Sequence, residues 1–499
     1  MRRVFLLVLA ALAVVHAASF VGSGPFDDDF ICYRYASNWV EGHGLVFNPG
    51  ERFEGFTNPL WVLILAAGIR LGLDPEALSL ALSMTALGVA TWAIGRAWWA
   101  RNPQASLPFP ALLLAASPAL AWHGVAGLGT TLMAALLSLW FLEWDRARRA
   151  DRPAWAAAVW LALACLLRQE AAIFAIAFLW SEKRACRWVP LVPLVGWTAF
   201  RLAYYGRWLP ITYGAKKLPF IADLQYGIDY LLLSTLEAGV GLVLILSVYA
   251  QRWVRSHTDV TSPVLTGFLA YAGFVVFAGG DFVAYARFFV PILPIGYLLA
   301  AEGARALVPA RGGRIVLGAL ALGAVSWTQK GAIVPIGRVE LGIGRPYRFA
   351  DADWNEGRWR AMGEHLGRTL PPDTSVALSP IGVFGWTSRL PIVDPLGLTN
   401  DSVLDEEPML ETVAMKGHHR IDPDWILSRR PALVIPGNGH RDPLNGKPSV
   451  NPWEAPLFFH PGFQEAYEHW IVPMPVGEEL DVWVLEGTSV PDGWRAVGG

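Results

Sequence analysis

Apolar residues recur along this chain in long blocks, and that recurrence limits what it can fold into more than any motif does. Twelve segments can be drawn, near residues 4–22, 59–73, 77–95, 107–120, 127–142, 154–166, 170–181, 188–203, 227–250, 262–278, 285–302 and 314–328. Each is long enough, or nearly so, to cross a bilayer as a helix. Hydrophobic residues make up 54% of the 499 and charged residues 16%, with a mean hydropathy of +0.37. That balance describes a polytopic α-helical membrane protein rather than a soluble enzyme. A net charge of −2 gives no reason to expect a nucleic acid partner. Cys32, Cys165 and Cys186 are scattered and fit neither a disulfide framework nor metal-ligand spacing.

Basic clusters orient the segments. Arg2 and Arg3, Arg146 to Arg152, Lys183 to Arg187, Arg252 and Arg255, and Arg305 to Arg314 belong on the cytoplasmic side. The stretch 23–58, the loops 204–226 and 279–284, the turn 121–127 and Arg168 then fall outside. An N-terminus inside and a C-terminal region outside require an odd number of spans, so about eleven transmembrane helices are expected. The N-terminal apolar run is read as an uncleaved first helix, because cleavage after Ala17 would leave the acidic stretch that follows without an anchor. From about Pro346 charges return, with short strand-like runs at Ser375–Leu378 and Ala432–Ile435. The expected organisation is a transmembrane module over 1–330, with its first outer loop at 23–58, and a soluble α/β domain over 346–499.

Asp27, Asp28 and Asp29 stand just beyond the first apolar segment. A bare acidic run is often only a solvated loop, yet ionisable groups beside a membrane helix are functional candidates. The residues around them are informative. Asp27-Asp28-x-Phe30-Ile31-x-Tyr33-Arg34-Tyr35, then Gly42-x-Gly44-Leu45-Val46-Phe47-Asn48-Pro49-Gly50-Glu51, then Glu54-Gly55-Phe56-Thr57-Asn58-Pro59-Leu60-Trp61, resembles the first periplasmic loop of GT-C glycosyltransferases. The resemblance is nearest to the mycobacterial terminal β-(1→2)-arabinofuranosyltransferase group, which uses decaprenyl-phosphoryl arabinose, and its bacterial homologues. It implies a GT-C fold, with Asp27 and Asp28 as the catalytic acids. Asp29 stands where relatives carry a small residue, so Asp29→Ala is expected to be mild.

Transfer from a lipid-phosphate sugar needs a base for the acceptor hydroxyl and cations for the departing phosphate. The resemblance supplies both. Lys216 lies in Tyr205-Gly206-x-x-Leu209-Pro210-x-Thr212-Tyr213-x-Ala215-Lys216, and Arg287 in Gly279-Gly280-Asp281-Phe282-x-x-Tyr285-x-Arg287-Phe288-x-x-Pro291. Both resemble family motifs, and Arg168-Gln169-Glu170 resembles a third. Lys216, Arg287 and Arg168 are therefore the expected donor-phosphate ligands, although each also suits a snorkelling cation at a membrane interface. Arg34, Glu54, Thr57, Asn58, Tyr213, Asp281 and His418 are the expected substrate-binding set. Gly129 replaces the acid of the family's G-L-E-T-T stretch. His418 with His419 lacks a third ligand at useful spacing, so no metal site is assigned; a divalent cation at the aspartate loop stays open.

The resulting expectation is an inverting glycosyltransferase of the bacterial inner membrane with its site facing the periplasm. It would move a monosaccharide, arabinofuranose by resemblance, from a polyprenyl-phosphate donor to an envelope glycan or other acceptor. The alternative is a polytopic transporter or flippase of lipid-linked sugar. Transporters tend to carry paired repeats and midplane charges on broken helices, whereas the charges here gather in outer loops.

Overall fold

The computed structural model describes residues 1–21, 25–248, 260–283, 285–308, 332–336, 339–343, 349–410, 415–441, 447–475 and 478–497. The expected last span, 314–328, lies outside them, as do Arg252, Arg255, Arg311 and Arg314. The first half is helical: α1 (Arg2–Ala18), α2 (Asp27–Val40), α3 (Pro59–Arg70), α4 (Pro75–Arg101), α5 (Phe109–Ala116), α6 (Pro118–His123), α7 (Thr130–Arg149) and α8 (Trp155–Leu167). It continues with α9 (Ala172–Ser181), α10 (Leu191–Tyr205), α11 (Ile211–Lys216), α12 (Phe220–Ala238), α13 (Val240–Val248), α14 (Thr261–Phe277) and α15 (Leu293–Leu307).

Local chemistry sets the breaks. The apolar run at 107–120 divides where Pro118 cannot extend α5; Ser117 caps α6, with Pro118 at its first position. The run at 227–250 bends by 93° between α12 and α13. Gly239 stands at that corner with φ 67, a left-handed conformation that costs glycine little. Among the described residues, Pro75–Arg101 and Val290–Leu307 are long and apolar enough to cross a membrane, and the bent pair α12–α13 would make a third. Four shorter apolar helices accompany them, at Pro59–Arg70, Trp155–Leu167, Gln169–Ser181 and Thr261–Phe277.

At the core of this half α4 packs between α1 and α7, and α7 against α8, with Trp61, Trp140 and Trp144 fully buried. At the end of the bundle that carries the basic clusters, Arg101 of α4 reaches Asp145 of α7 at 2.8 Å, Glu302 of α15 at 2.5 Å and Thr261 of α14 at 2.6 Å. All four are buried. Removing any one charge would strand its partner in low dielectric, so this network ties four helices together.

The C-terminal region is α/β. A hairpin of β1 (Ala332–Ile336) and β2 (Val339–Ile343) precedes helix Phe349–Thr369. The strands β3 (Val376–Ala377), β4 (Ile392–Val393), β5 (Leu433–Val434), β6 (Tyr467–Pro473), β7 (Glu479–Leu485) and β8 (Arg495–Ala496) form one sheet in the order β4-β3-β5-β7-β6-β8. β3 pairs in parallel with both β4 and β5, and the remaining pairs are antiparallel. The chain passes from β3 to β4 on one side through helix Ile381–Ser388, then returns to add β5 on the other. In open α/β sheets such a reversal marks where ligands bind, at the carboxyl ends of the strands.

Candidate active site

The acidic run is the first turn of α2 rather than an irregular loop. Carboxylates there face the partial positive charge of the helix N-terminus, which favours them. Their three side chains point to different partners, because successive residues on a helix are rotated by about 100°.

Asp27 turns to the C-terminal domain. Its Oδ1 accepts the Val383 N–H at 2.7 Å and its Oδ2 the Gly382 N–H at 3.2 Å, both from the first turn of helix Ile381–Ser388. Burial nevertheless dominates: against those two N–H groups, and aided by repulsion from Asp28, it pushes the Asp27 carboxyl up to about 7. Asp28 turns to the bundle. Its Oδ2 lies 3.2 Å from Arg287 Nη1, and Arg287 also pairs with Asp281. Burial acts to raise Asp28 too, but the charges of Lys216 and Arg287 outweigh it and hold the carboxyl below its ordinary value. The two neighbouring acids therefore differ in proton affinity because their partners differ in charge.

Asp29 turns inward and is fully buried. It accepts from Tyr33 Oη at 2.7 Å, Trp61 Nε1 at 2.8 Å and Ser79 Oγ at 2.6 Å. A Cβ on Gly127 would meet its Oδ2 at 2.1 Å, and one on Gly129 would lie 3.3 Å from the Trp61 ring. The two departures from the family pattern, an acid gained at 29 and one lost at 129, thus flank the same tryptophan. Asp29→Ala, expected to be mild, would remove a carboxylate that joins α2, α3 and α4.

Asp27, Asp28, Lys216 and His418 line one cavity of about 100 Å³. Burial, with the Lys216 charge, lowers the His418 imidazole to about 4, so it is neutral near pH 7. Arg287 and Asp281 join the site through Asp28. The facing wall comes from the C-terminal domain: Ser379, Pro380 and Ile381 follow β3, Leu396 and Leu398 follow β4, and Asn438 follows β5. Trp359 and Trp453 complete it. The cavity therefore sits at the carboxyl ends of the parallel strands, where their order reverses. The charge pattern of the chain could not single out Ser379, Asn438 or the two tryptophans.

The other expected site residues do not line the cavity. Arg34 is buried and spends its guanidinium on Phe47 O at 2.8 Å, Gly385 O at 2.6 Å, Leu390 O at 2.8 Å and Asn48 at 3.1 Å. Glu54 is buried against Arg201 and Trp197. Asn58 Nδ2 donates to Leu128 O at 3.3 Å. Arg168 donates to Thr57 Oγ1 at 2.8 Å and pairs with Glu170, while Tyr213 is exposed. The buried ones tie the first loop to its neighbours: Arg34 to the segment 385–390, Glu54 to α10 and Asn58 to the turn before α7. Among the described residues no group of three His, Cys, Asp or Glu is arranged to hold a metal ion. Asp27 already accepts from two amides, and Asp28 faces the cations Arg287 and Lys216.

A family model described as a domain of unknown function (DUF8728) matches residues 348–483, the C-terminal domain. The terminal β-(1→2)-arabinofuranosyltransferase of Mycobacterium tuberculosis is 32% identical over 215 residues, covering 38% of this chain and 34% of that protein. The alignment thus spans only about a third of the relative's length. ArnT from Cupriavidus metallidurans, solved with undecaprenyl phosphate bound, superposes with a TM-score of 0.51 at 14% identity, over 78% of this chain and 85% of that one. The chain has the fold of a GT-C glycosyltransferase. The oligosaccharyltransferase AglB from Archaeoglobus fulgidus, in complex with an inhibitory peptide and a dolichol-phosphate, covers 99% of this chain and 75% of its own at 10% identity and a TM-score of 0.49. That score lies below the level at which a shared fold follows. The resemblance of the first loop to GT-C enzymes thus agrees with a relative found by sequence and with a neighbour found by fold.

Proposed function

We propose that this chain is a glycosyltransferase that moves a monosaccharide from a polyprenyl phosphate to a hydroxyl of an envelope glycan or other acceptor, with inversion. The site would face the periplasm from a multi-pass protein of the bacterial inner membrane, with about eleven spans. One observation carries the reading: two adjacent carboxylates line one cavity, one resting on amides and raised toward neutrality, the other set against cations. That divergence separates a base from a charge-orienting acid.

In this reading Asp27 takes the proton of the acceptor hydroxyl. The oxygen attacks the anomeric carbon on the face opposite the phosphate, and the bond from that carbon to the phosphate oxygen breaks with its electron pair. Lys216 and Arg287 stabilise the phosphate as its charge grows, Lys216 as a point charge and Arg287 as a fork already aligned by Asp28 and Asp281. The acceptor would lie against the wall from Ser379, Asn438 and Trp453. Arabinofuranose is the sugar favoured by the mycobacterial relative.

Mass spectrometry of lipids that co-purify with the protein tests the donor. A polyprenyl-phosphoryl pentose is the expected mass. A diphosphate-linked oligosaccharide would contradict a monosaccharide donor and favour a carrier of lipid-linked glycans.

A further inference from the structure

Lys216 ends α11, a helix of six residues that is too short to be stable by itself. What fixes the lysine must therefore come from outside the helix, and it comes from the strap Met415–Arg420 of the C-terminal domain. Arg420 donates through Nη1 to Lys217 O at 2.6 Å, Gly214 O at 3.2 Å and Ala215 O at 3.4 Å, and through Nε to Glu406 O at 2.7 Å. The first three are carbonyls at the C-terminal end of α11, where a cation is favoured; of them Gly214 O also accepts the Lys217 N–H at 3.2 Å. Three residues earlier, Gly417 lies beneath the lysine itself: a Cβ there would touch the Lys216 stem at 3.4 to 3.6 Å. Gly417 has φ +89, which an L side chain would strain.

The strap is pinned in turn. Lys416 pairs with Asp223 of α12, and His419 bonds Tyr226 Oη at 3.0 Å. His418, between them, faces the cavity.

We propose that Arg420 is a positioning residue: it captures the end carbonyls of α11 and so aims Lys216 at the donor phosphate. The C-terminal domain then sets both halves of the site, Asp27 through the amides of Gly382 and Val383, and Lys216 through Arg420.

The inference rests on the proposed phosphate role of Lys216, and a double-mutant cycle separates the two. Undecaprenyl phosphate is the probe, and its affinity in detergent is measured for wild type, Lys216→Ala, Arg420→Ala and the double variant. Lys216→Ala should weaken binding about tenfold or more, as for loss of one charge-assisted contact. Arg420→Ala should weaken it by a similar factor in the wild-type background and less than about twofold when Lys216 is already gone. Arg420→Lys keeps the charge but not the fork, so it should fall between and serves where the alanine variant fails to fold. Unchanged affinity in Lys216→Ala would overturn the phosphate role. A Lys216→Ala loss with an Arg420 effect equal in both backgrounds would leave that role intact and overturn the positioning role.

Discussion

Three consecutive aspartates look interchangeable in a sequence, yet the fold gives them three tasks. Asp27 meets backbone amides, Asp28 meets cations, and Asp29 meets three neutral donors deep in the bundle. Charge counting could mark the run as a site but could not divide it, because the division depends on helical rotation and on partners distant in sequence. Val383 lies 356 residues from Asp27. Arg34 shows the same limit: it reads as a substrate ligand, and the structure has its guanidinium donate four hydrogen bonds to the scaffold. Asp29→Ala should cost about 3 kcal/mol or more of stability, since three buried donors lose their acceptor. Thermal or denaturant unfolding in detergent measures it, and an unchanged midpoint would contradict the joint described here.

Among elements, the decisive contact is α2 against helix Ile381–Ser388. Asp27 and Arg34, seven residues apart and so on one face of α2, hold opposite ends of that helix: the acid its N-terminal amides, the arginine the carbonyls of Gly385 and Leu390. The approach is close enough that a Cβ on Gly382 would stand 1.9 Å from the Asp27 carbonyl oxygen. Gly382→Ala should therefore push the two helices apart and lower turnover on the order of a hundredfold, on the scale of a displaced catalytic group. Turnover with limited proteolysis of the C-terminal domain reads both effects. Wild-type values in both would show that the contact is slack. Hydrophobic blocks located most helices correctly, but not the corner at Gly239 or the break at Pro118, where single residues override an apolar pattern. The two-residue strands β3 and β5 were visible as Val- and Leu-rich runs; their pairing, which creates the cavity wall, was not.

For the whole molecule, composition and basic loops gave the membrane character and an orientation, and first-loop likeness gave the GT-C fold. Of the C-terminal residues on the cavity, His418 was legible; Ser379, Asn438 and Trp453 were not, because no local pattern links them to Asp27. Orientation has its own test. In a background lacking Cys32, Cys165 and Cys186, cysteines at the exposed positions His43 and Glu465 should react with an impermeant thiol reagent from the periplasm, and one at the exposed Arg149 should not. Labelling at Arg149 alone would reverse the orientation. If Asp27 is the base of a sugar transfer, single-turnover transfer from a polyprenyl-phosphoryl pentose, followed against pH, will show it. A base works ionised, so with a carboxyl raised to about 7 the wild-type rate should climb as pH rises through about 7 and fall as pH drops below it. Asp27→Asn should still bind the donor, transfer roughly 10² to 10⁴ times more slowly and lose that limb. Near-wild-type transfer by Asp27→Asn with the limb intact would contradict the account and move the base to another group.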